Sequence, residues 1–128
     1  MKKHLLWAVC LGISTLFAHT PKVESTAVDW VTAGKMYRAN LQSENSGVQA
    51  SAAQFIRKYR ITGAEEELKA LLDTKYEEKV RMAAALTLVS IGGEEGRTAV
   101  EDALKQEQNE IVAIFYRSVL KDAEVAGR

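Results

Sequence analysis

From Val48 onward the chain alternates between long apolar-rich stretches and shorter polar ones, and the long stretches share one spacing. Three of them, Val48 to Tyr59, Val80 to Ile91 and Ile111 to Asp122, align with one another, and the step between their starts is the same to within one position. In each, the inward set falls at i, i+3, i+4, i+7, i+8 and i+11, the stripe of an α-helix packed along one side. The sets are Val48, Ser51, Ala52, Phe55, Ile56 and Tyr59, then Val80, Ala83, Ala84, Thr87, Leu88 and Ile91, then Ile111, Ile114, Phe115, Ser118, Val119 and Asp122. A shorter helix follows the first two, marked by Leu68, Leu71 and Leu72 and, one such step later, by Val100, Ala103 and Leu104. Gly63, and Gly92, Gly93 and Gly96, mark the turns between them. Upstream, Trp30, Met36 or Tyr37, and Leu41 recur at helical spacing behind an expected cap at Thr26, with Asp29 three positions on. Gly34 either weakens that helix or marks a close contact, and Ser43 to Gly47 reads as a turn. A unit repeated every roughly 20–50 residues stacks into a solenoid. The pattern therefore predicts an all-α fold: a short, right-handed α-solenoid of about six helices in about two and a half repeats.

Two stretches depart from a one-sided stripe. In the middle one, Val80, Ala84, Leu88 and Ile91 point one way, and Met82, Leu86 and Val89 point nearly the opposite way. A helix with neighbours on both sides has its flanks buried too, so this is the centre of the stack. Gln54, Arg57 and Lys58 instead give the first long helix the polar back of an outer unit. The last stretch is apolar beyond its stripe. Val112, Tyr116 and Leu120 lie beside Ile111, Phe115 and Val119, with Arg117 and Lys121 marking the solvent face. No partner helix follows it, so Val112, Tyr116 and Leu120 are expected to form an apolar contact site for a second copy or another partner. The alternative is that the leader folds over them or that the helix tilts to bury them.

The run Val80-Arg81-x-Ala83-Ala84-Ala85-x-x-Leu88-x-x-Ile91-Gly92, with Ala99-Val100-x-x-Ala103-Leu104-Lys105 downstream, resembles the HEAT repeat. It looks most like the short HEAT-like form of phycobilin lyases and bacterial helical scaffolds. The match spans about Val48 to Lys121. The flanking units depart from it: the family's Val-Arg pair is Val48-Gln49 and Ile111-Val112, its Ile-Gly turn is Tyr59-Arg60, and its turn aspartate is Gly93. The arginine ladder that ties neighbouring units in the family is thus reduced to Arg81. The resemblance implies a scaffold for protein–protein recognition. The tetratricopeptide and ankyrin signatures are absent.

The start of the chain is a different kind of sequence. Lys2 and Lys3 precede an apolar run from Leu5 to Ala18, shorter than the about 20 residues a membrane span needs, and Leu16-Phe17-Ala18 is an acceptable cleavage site. This reads as a secretory signal peptide over 1–18, with a leader at 19–25, the repeat domain at 26–122 and a tail at 123–128. A membrane anchor or a buried core helix is the rival reading. Cys10 lies inside the apolar run behind a branched Val9, which argues against a lipoprotein signal. Cleavage would remove the only cysteine, so the mature chain would form no disulfide. It would also take away Lys2 and Lys3 and leave acids slightly in excess of bases, a balance that gives no drive toward nucleic acid or anionic lipid.

Candidate chemistry is sparse. The two histidines are His4 and His19, ahead of the repeat domain, which therefore lacks both histidine and cysteine. The Gly-Glu-Glu-Gly run has neither the lysine nor the preceding strand of a phosphate loop. Glu65, Glu66, Glu67, Glu94 and Glu95 read better as first-turn acids opposing a helix dipole than as a metal site. The sequence thus points away from an enzyme, from cofactors, from nucleic acid and from membrane insertion after cleavage. Besides the C-terminal edge, the exposed face of the shorter helices is a candidate binding surface: Glu66, Lys69, Asp73, Thr98, Glu101, Asp102 and Lys105, taken to line the concave side. The expected function is an exported, periplasmic or secreted, non-catalytic protein-binding scaffold. A small-ligand or pigment-binding accessory protein and a self-associating structural unit, a homo-oligomer, are the alternatives. Export predicts that N-terminal sequencing of the protein from its native envelope fraction reads from His19; an intact Met1 recovered from the cytosol would overturn it.

Overall fold

A computed structural model describes residues 27–127; the expected signal peptide, the leader and the cap at Thr26 lie outside them. Asp29, not Thr26, starts the first described helix, α1 (Trp30–Leu41), its carboxylate accepting from the Val31 and Thr32 amides at 3.1 and 3.3 Å. The Thr32 hydroxyl also donates to it, and this bond, ahead of the backbone ones, holds the Asp29 carboxyl below its ordinary range. Five more helices follow: α2 (Ser46–Tyr59), α3 (Glu65–Ala70), α4 (Glu78–Ile91), α5 (Gly93–Gln106) and α6 (Glu110–Ala126). They form three antiparallel hairpins, α1–α2, α3–α4 and α5–α6. One layer of the stack is α2, α4 and α6; the other is α1, α3 and α5.

The helix starts fix the repeat. α2, α4 and α6 are capped at Asn45, Glu77 and Asn109, which are evenly spaced along the chain. Asn45 and Asn109 use their side-chain oxygens to accept two amides each. The counterpart of Val80 in the last unit is therefore Val112, one position beyond the start expected from the stripe. This slip turns α6 by about 100°. Its buried face is Val112, Ala113, Tyr116, Val119 and Leu120, while Ile111, Ile114 and Ser118, expected inward, are exposed. Val112, Tyr116 and Leu120 are thus core rather than an open edge. α6 already has a partner in the helix before it, α5, and its other neighbour is α4.

Three further expectations shift. α5 starts directly after Gly92 and equals α4 in length, so Gly93 and Gly96 lie in the helix. The reason is a close crossing: a Cβ on Gly96 would sit 2.3 Å from the Leu88 carbonyl oxygen, so only glycine lets α5 turn back against α4 there. The expected tail at 123–128 is helical through Ala126, since Ala123 to Ala126 contains no breaker and Glu124 is held by Arg97 at 2.7 Å. α1 completes a third hairpin, and a Cβ added at Gly34 would meet Ile61 at 3.4 Å, an ordinary van der Waals contact, so the crossing does not itself require glycine there.

α4 is the axis of the core. It touches α2, α3, α5 and α6 and buries Val80, Arg81, Ala84, Ala85, Thr87 and Leu88. Alanines at Ala52, Ala53, Ala84 and Ala85 let the long helices approach closely. Thr87 fits this apolar seam because its hydroxyl reaches the Ala53 carbonyl of α2 at 2.9 Å and the Ala83 carbonyl at 2.7 Å. On the other side Arg81 pairs with Glu107 at 2.6 Å in a nearly water-free site. Glu107 also accepts from the Asn109 amide at 2.8 Å, and the Asn109 side chain donates to Glu78. The start of α6 is thereby pinned to α4. Leu88→Ala, at a fully buried position, should cost roughly 2–5 kcal/mol. Exposed Gln54→Ala should stay within about 0.5 kcal/mol. Urea midpoints of the two variants check this; equal midpoints would contradict a core centred on α4.

Candidate functional site

The repeat register shows what each end of the stack presents. Thr87 faces back from α4 toward α2. Its counterpart one unit earlier is Phe55, which among the described residues has no preceding helix to meet and is 41% exposed. Tyr59, the counterpart of Ile91, is 42% exposed, and Val48, the counterpart of buried Val80, also reaches solvent. These three were expected inward. In the first unit Ala52 and Ile56 of the stripe stay in the core, while Val48, Phe55 and Tyr59 along its edge face outward.

α1 builds this face up with two more rings. Tyr37 stacks on Phe55 with centroids 5.4 Å apart, and Trp30 lies against Tyr59 at 4.9 Å. Phe55 and Tyr59 are nearly parallel at 6.1 Å. The result is a four-ring ladder across the N-terminal end, with each contact in the range where offset aromatic pairs attract. Open recesses flank it. One of about 460 Å³ is lined by Trp30, Gly34, Lys35, Tyr59, Arg60 and Ile61 among others. One of about 410 Å³ lies beside Tyr37, Val48, Ser51 and Phe55. Arg60 takes a left-handed conformation at φ 51° to end α2, letting the Ile61 amide bond the Ile56 carbonyl at 2.9 Å.

Charge is unevenly spread along the stack. The first hairpin, 27–62, carries Lys35, Arg38, Arg57, Lys58 and Arg60 against Asp29 and Glu44, whereas acids clearly outnumber bases in the rest of the described chain. Arg38 is neutralised by Glu67 at 2.7 Å; burial is the largest single influence and raises the Glu67 carboxyl, but the Arg38 hydrogen bond, a backbone hydrogen bond and the Arg38 charge together hold it low. Lys58 sits over the Tyr59 ring at 5.3 Å. Lys35 and Arg60 border the recess at Trp30. The aromatic end is therefore also the cationic end.

The other end mixes charge with apolar side chains: Ile111, Ile114 and Val125 are exposed along α6. The counterparts of Ala85 and Val89 in α6 are Arg117 and Lys121, both exposed, as the terminal unit of a stack requires. Beneath them Tyr116 fills the place that Ala84 holds in α4. Its hydroxyl is buried without a partner, as is the Arg81 Nε. Burial first, and then the Glu107 charge, pushes the Tyr116 hydroxyl up to about 12.

The candidates on the shorter-helix layer come together only in part. Lys69, Asp73 and Asp102 line an open groove between α3 and α5, floored by Ala70, Ala99 and Ala103. Their charges are largely used locally. Lys69 pairs with Glu66 at 2.9 Å, Lys105 with Asp102 at 2.7 Å and Glu101 with Arg97 at 3.1 Å. Hydrogen bonds to Glu66 and to Asp102 hold the two lysines above their ordinary range. This layer is the loosely packed one: α3 barely touches α1 and α5, whereas α4 packs along α2 and α6. Among the described residues no cluster of His, Cys, Asp and Glu forms a metal-binding group, and no helix is long and apolar enough to cross a membrane.

Paired antiparallel helices stacked in register, with long-helix caps evenly spaced at Asn45, Glu77 and Asn109, define an α-solenoid. The family model for HEAT repeats matches residues 37–118, so the chain belongs to the HEAT-repeat family. No curated protein and no solved structure matches it significantly. The match spans α2 to α5 with parts of α1 and α6, and it takes in the whole of the central unit.

The buried tyrosine yields a pH prediction. A phenol whose folded value is raised above its ordinary 10 favours the protonated fold, so this contribution is complete below pH 10 and is lost as pH rises toward 12. Tyr116→Phe removes both that loss and a buried hydroxyl without a partner. It should melt at or above wild type at neutral pH and fall less steeply above about pH 10. Thermal melts across that range check it; a variant less stable at neutral pH would show that the hydroxyl is satisfied.

Proposed function

We propose that this HEAT-repeat protein is an exported, non-catalytic binding module that holds a partner protein against its aromatic N-terminal end. The observation that carries this reading is the contrast between the two ends. One presents Trp30, Tyr37, Phe55 and Tyr59 as a stacked ladder of aromatic rings, and the other presents Ile111 and Ile114 interrupted by Arg117 and Lys121, with no ring cluster among the described residues. Tryptophan and tyrosine are the side chains most enriched where binding energy concentrates, because they bring large area at little entropic cost. A contiguous exposed patch of stacked rings marks an interaction site more strongly than single aliphatic side chains set among charges. Tyr37 packs against the core, but Trp30, Phe55 and Tyr59 leave much of their ring area in water, where a partner would cover it. Secretion rests on the basic start and short apolar run described above.

The test is affinity capture from the native envelope fraction with three forms of the protein. Wild type and a groove variant, Lys69→Ala with Asp102→Ala, should retain the same partner, and Phe55→Ser with Tyr59→Ser should lose it. A partner that survives the loss of Phe55 and Tyr59 and disappears with Lys69 and Asp102 would move the site to the groove between α3 and α5.

A further inference from the structure

We infer that the occupant of the ladder is an acidic amphipathic helix of the partner, lying where the long helix of a preceding repeat would lie; this rests on the protein-binding reading above. The stack supplies its own template. α4 lies along α2 with Thr87 pointing into the seam, and the repeat register places Phe55 on α2 where Thr87 stands on α4. The face around Phe55 is therefore shaped to be covered by a helix running beside α2, as α2 itself runs beside α4. The recesses on either side of the ladder, about 460 and 410 Å³, give the larger side chains of that helix places to enter.

Charge selects which helix. Lys35, Lys58 and Arg60 border the rings, and their own hairpin holds only Asp29 and Glu44 as counter-charges. Asp29 is committed to capping α1. A helix with an apolar stripe and acidic flanks meets both features, because opposite charges at the rim steer encounter and fix register while the stripe covers the rings. A second copy of this chain fits poorly. Its N-terminal end is cationic like the first, and on its C-terminal helix the exposed Ile111 and Ile114 are accompanied by Arg117 and Lys121, which would meet those cations. An anionic membrane fits less well, because Asp29 and Glu44 lie in the same hairpin and Arg38 is already held by Glu67.

The test is a titration of the full-length protein carrying Trp7→Phe, so that fluorescence reports Trp30, the other of the two tryptophans. The probes are two designed helical peptides with the same leucine stripe, one flanked by glutamates and the other by lysines. The glutamate peptide should bind at least about tenfold more tightly, and added salt should erode the difference. Lys35→Glu with Arg60→Glu should reverse the preference. Phe55→Ser with Tyr59→Ser should abolish binding while melting within a few degrees of wild type. Equal binding of both peptides, or binding of neither, would overturn the proposal. So would preference for anionic vesicles, concentration-dependent self-association that depends on Phe55, or a ladder variant that melts far below wild type, which would make the rings interior. If native capture still depends on Phe55 and Tyr59 while charge reversal changes nothing, the binding surface stands and the acidic helix alone falls.

Discussion

The close packing of α4 against helices on both sides is the constraint from which the rest follows. A helix buried from two directions tolerates polar atoms only where they find partners, and α4 holds two such places. Thr87 answers to a carbonyl of α2, and Arg81 answers to Glu107 ahead of α6. Each ties α4 to a neighbouring unit, so together they set the phase of the stack in both directions. The Arg81 pair is not a source of net stability, because taking both charges out of water costs about as much as their attraction returns. Its effect is on specificity. With one partner missing, a charge would be stranded in the core, so α6 has a single acceptable seat.

The sequence made the architecture legible because the stripe and the turn residues agree in the middle unit. It misled at the ends for a physical reason. In α6 two apolar faces compete, one with Ile111 and Ile114 and the other with Val112, Tyr116 and Leu120. Hydrophobicity alone does not choose between them. The choice is made by Asn109, whose side chain starts the helix as far beyond Glu77 as Glu77 lies beyond Asn45, and so sets its phase. That capping asparagine was visible in the chain and would have corrected the register. The candidate site was hidden by the converse error. Phe55 and Tyr59 occupy positions that are interior in the central unit, and in a first unit the same positions face away from the stack. The signal that distinguishes the two cases is bulk: the central unit has Thr87 where the first has Phe55, and a ring does not fit a seam built for a hydroxyl and alanines. The recess at Trp30 was not legible at all, because it arises from the crossing of α1 over the end of α2.

The paired acids and bases on α3 and α5 illustrate a different limit. Glu66, Lys69, Asp102 and Lys105 were selected as surface residues, and all four have side chains that reach solvent. Exposure does not reveal that neighbours at i and i+3 on one helix satisfy each other first. A surface whose charges are already matched has less to offer an outside ligand than one whose charges are of a single sign. The N-terminal hairpin, with its excess of cations, is the better target although its charge count is small.

The charged face of α6 has a consequence for assembly size. Repeat stacks grow by adding like to like at either end, and an end-to-end contact that does not close on itself extends into a fibre. Here Arg117 and Lys121 occupy the positions where the next unit would have to settle, so burying that end would strand two cations. The same face exposes Ile111 and Ile114, so it is apolar as well as charged. Growth of the stack past α6 would set the burial of two isoleucines against the desolvation of two cations, a balance that disfavours end-to-end polymers.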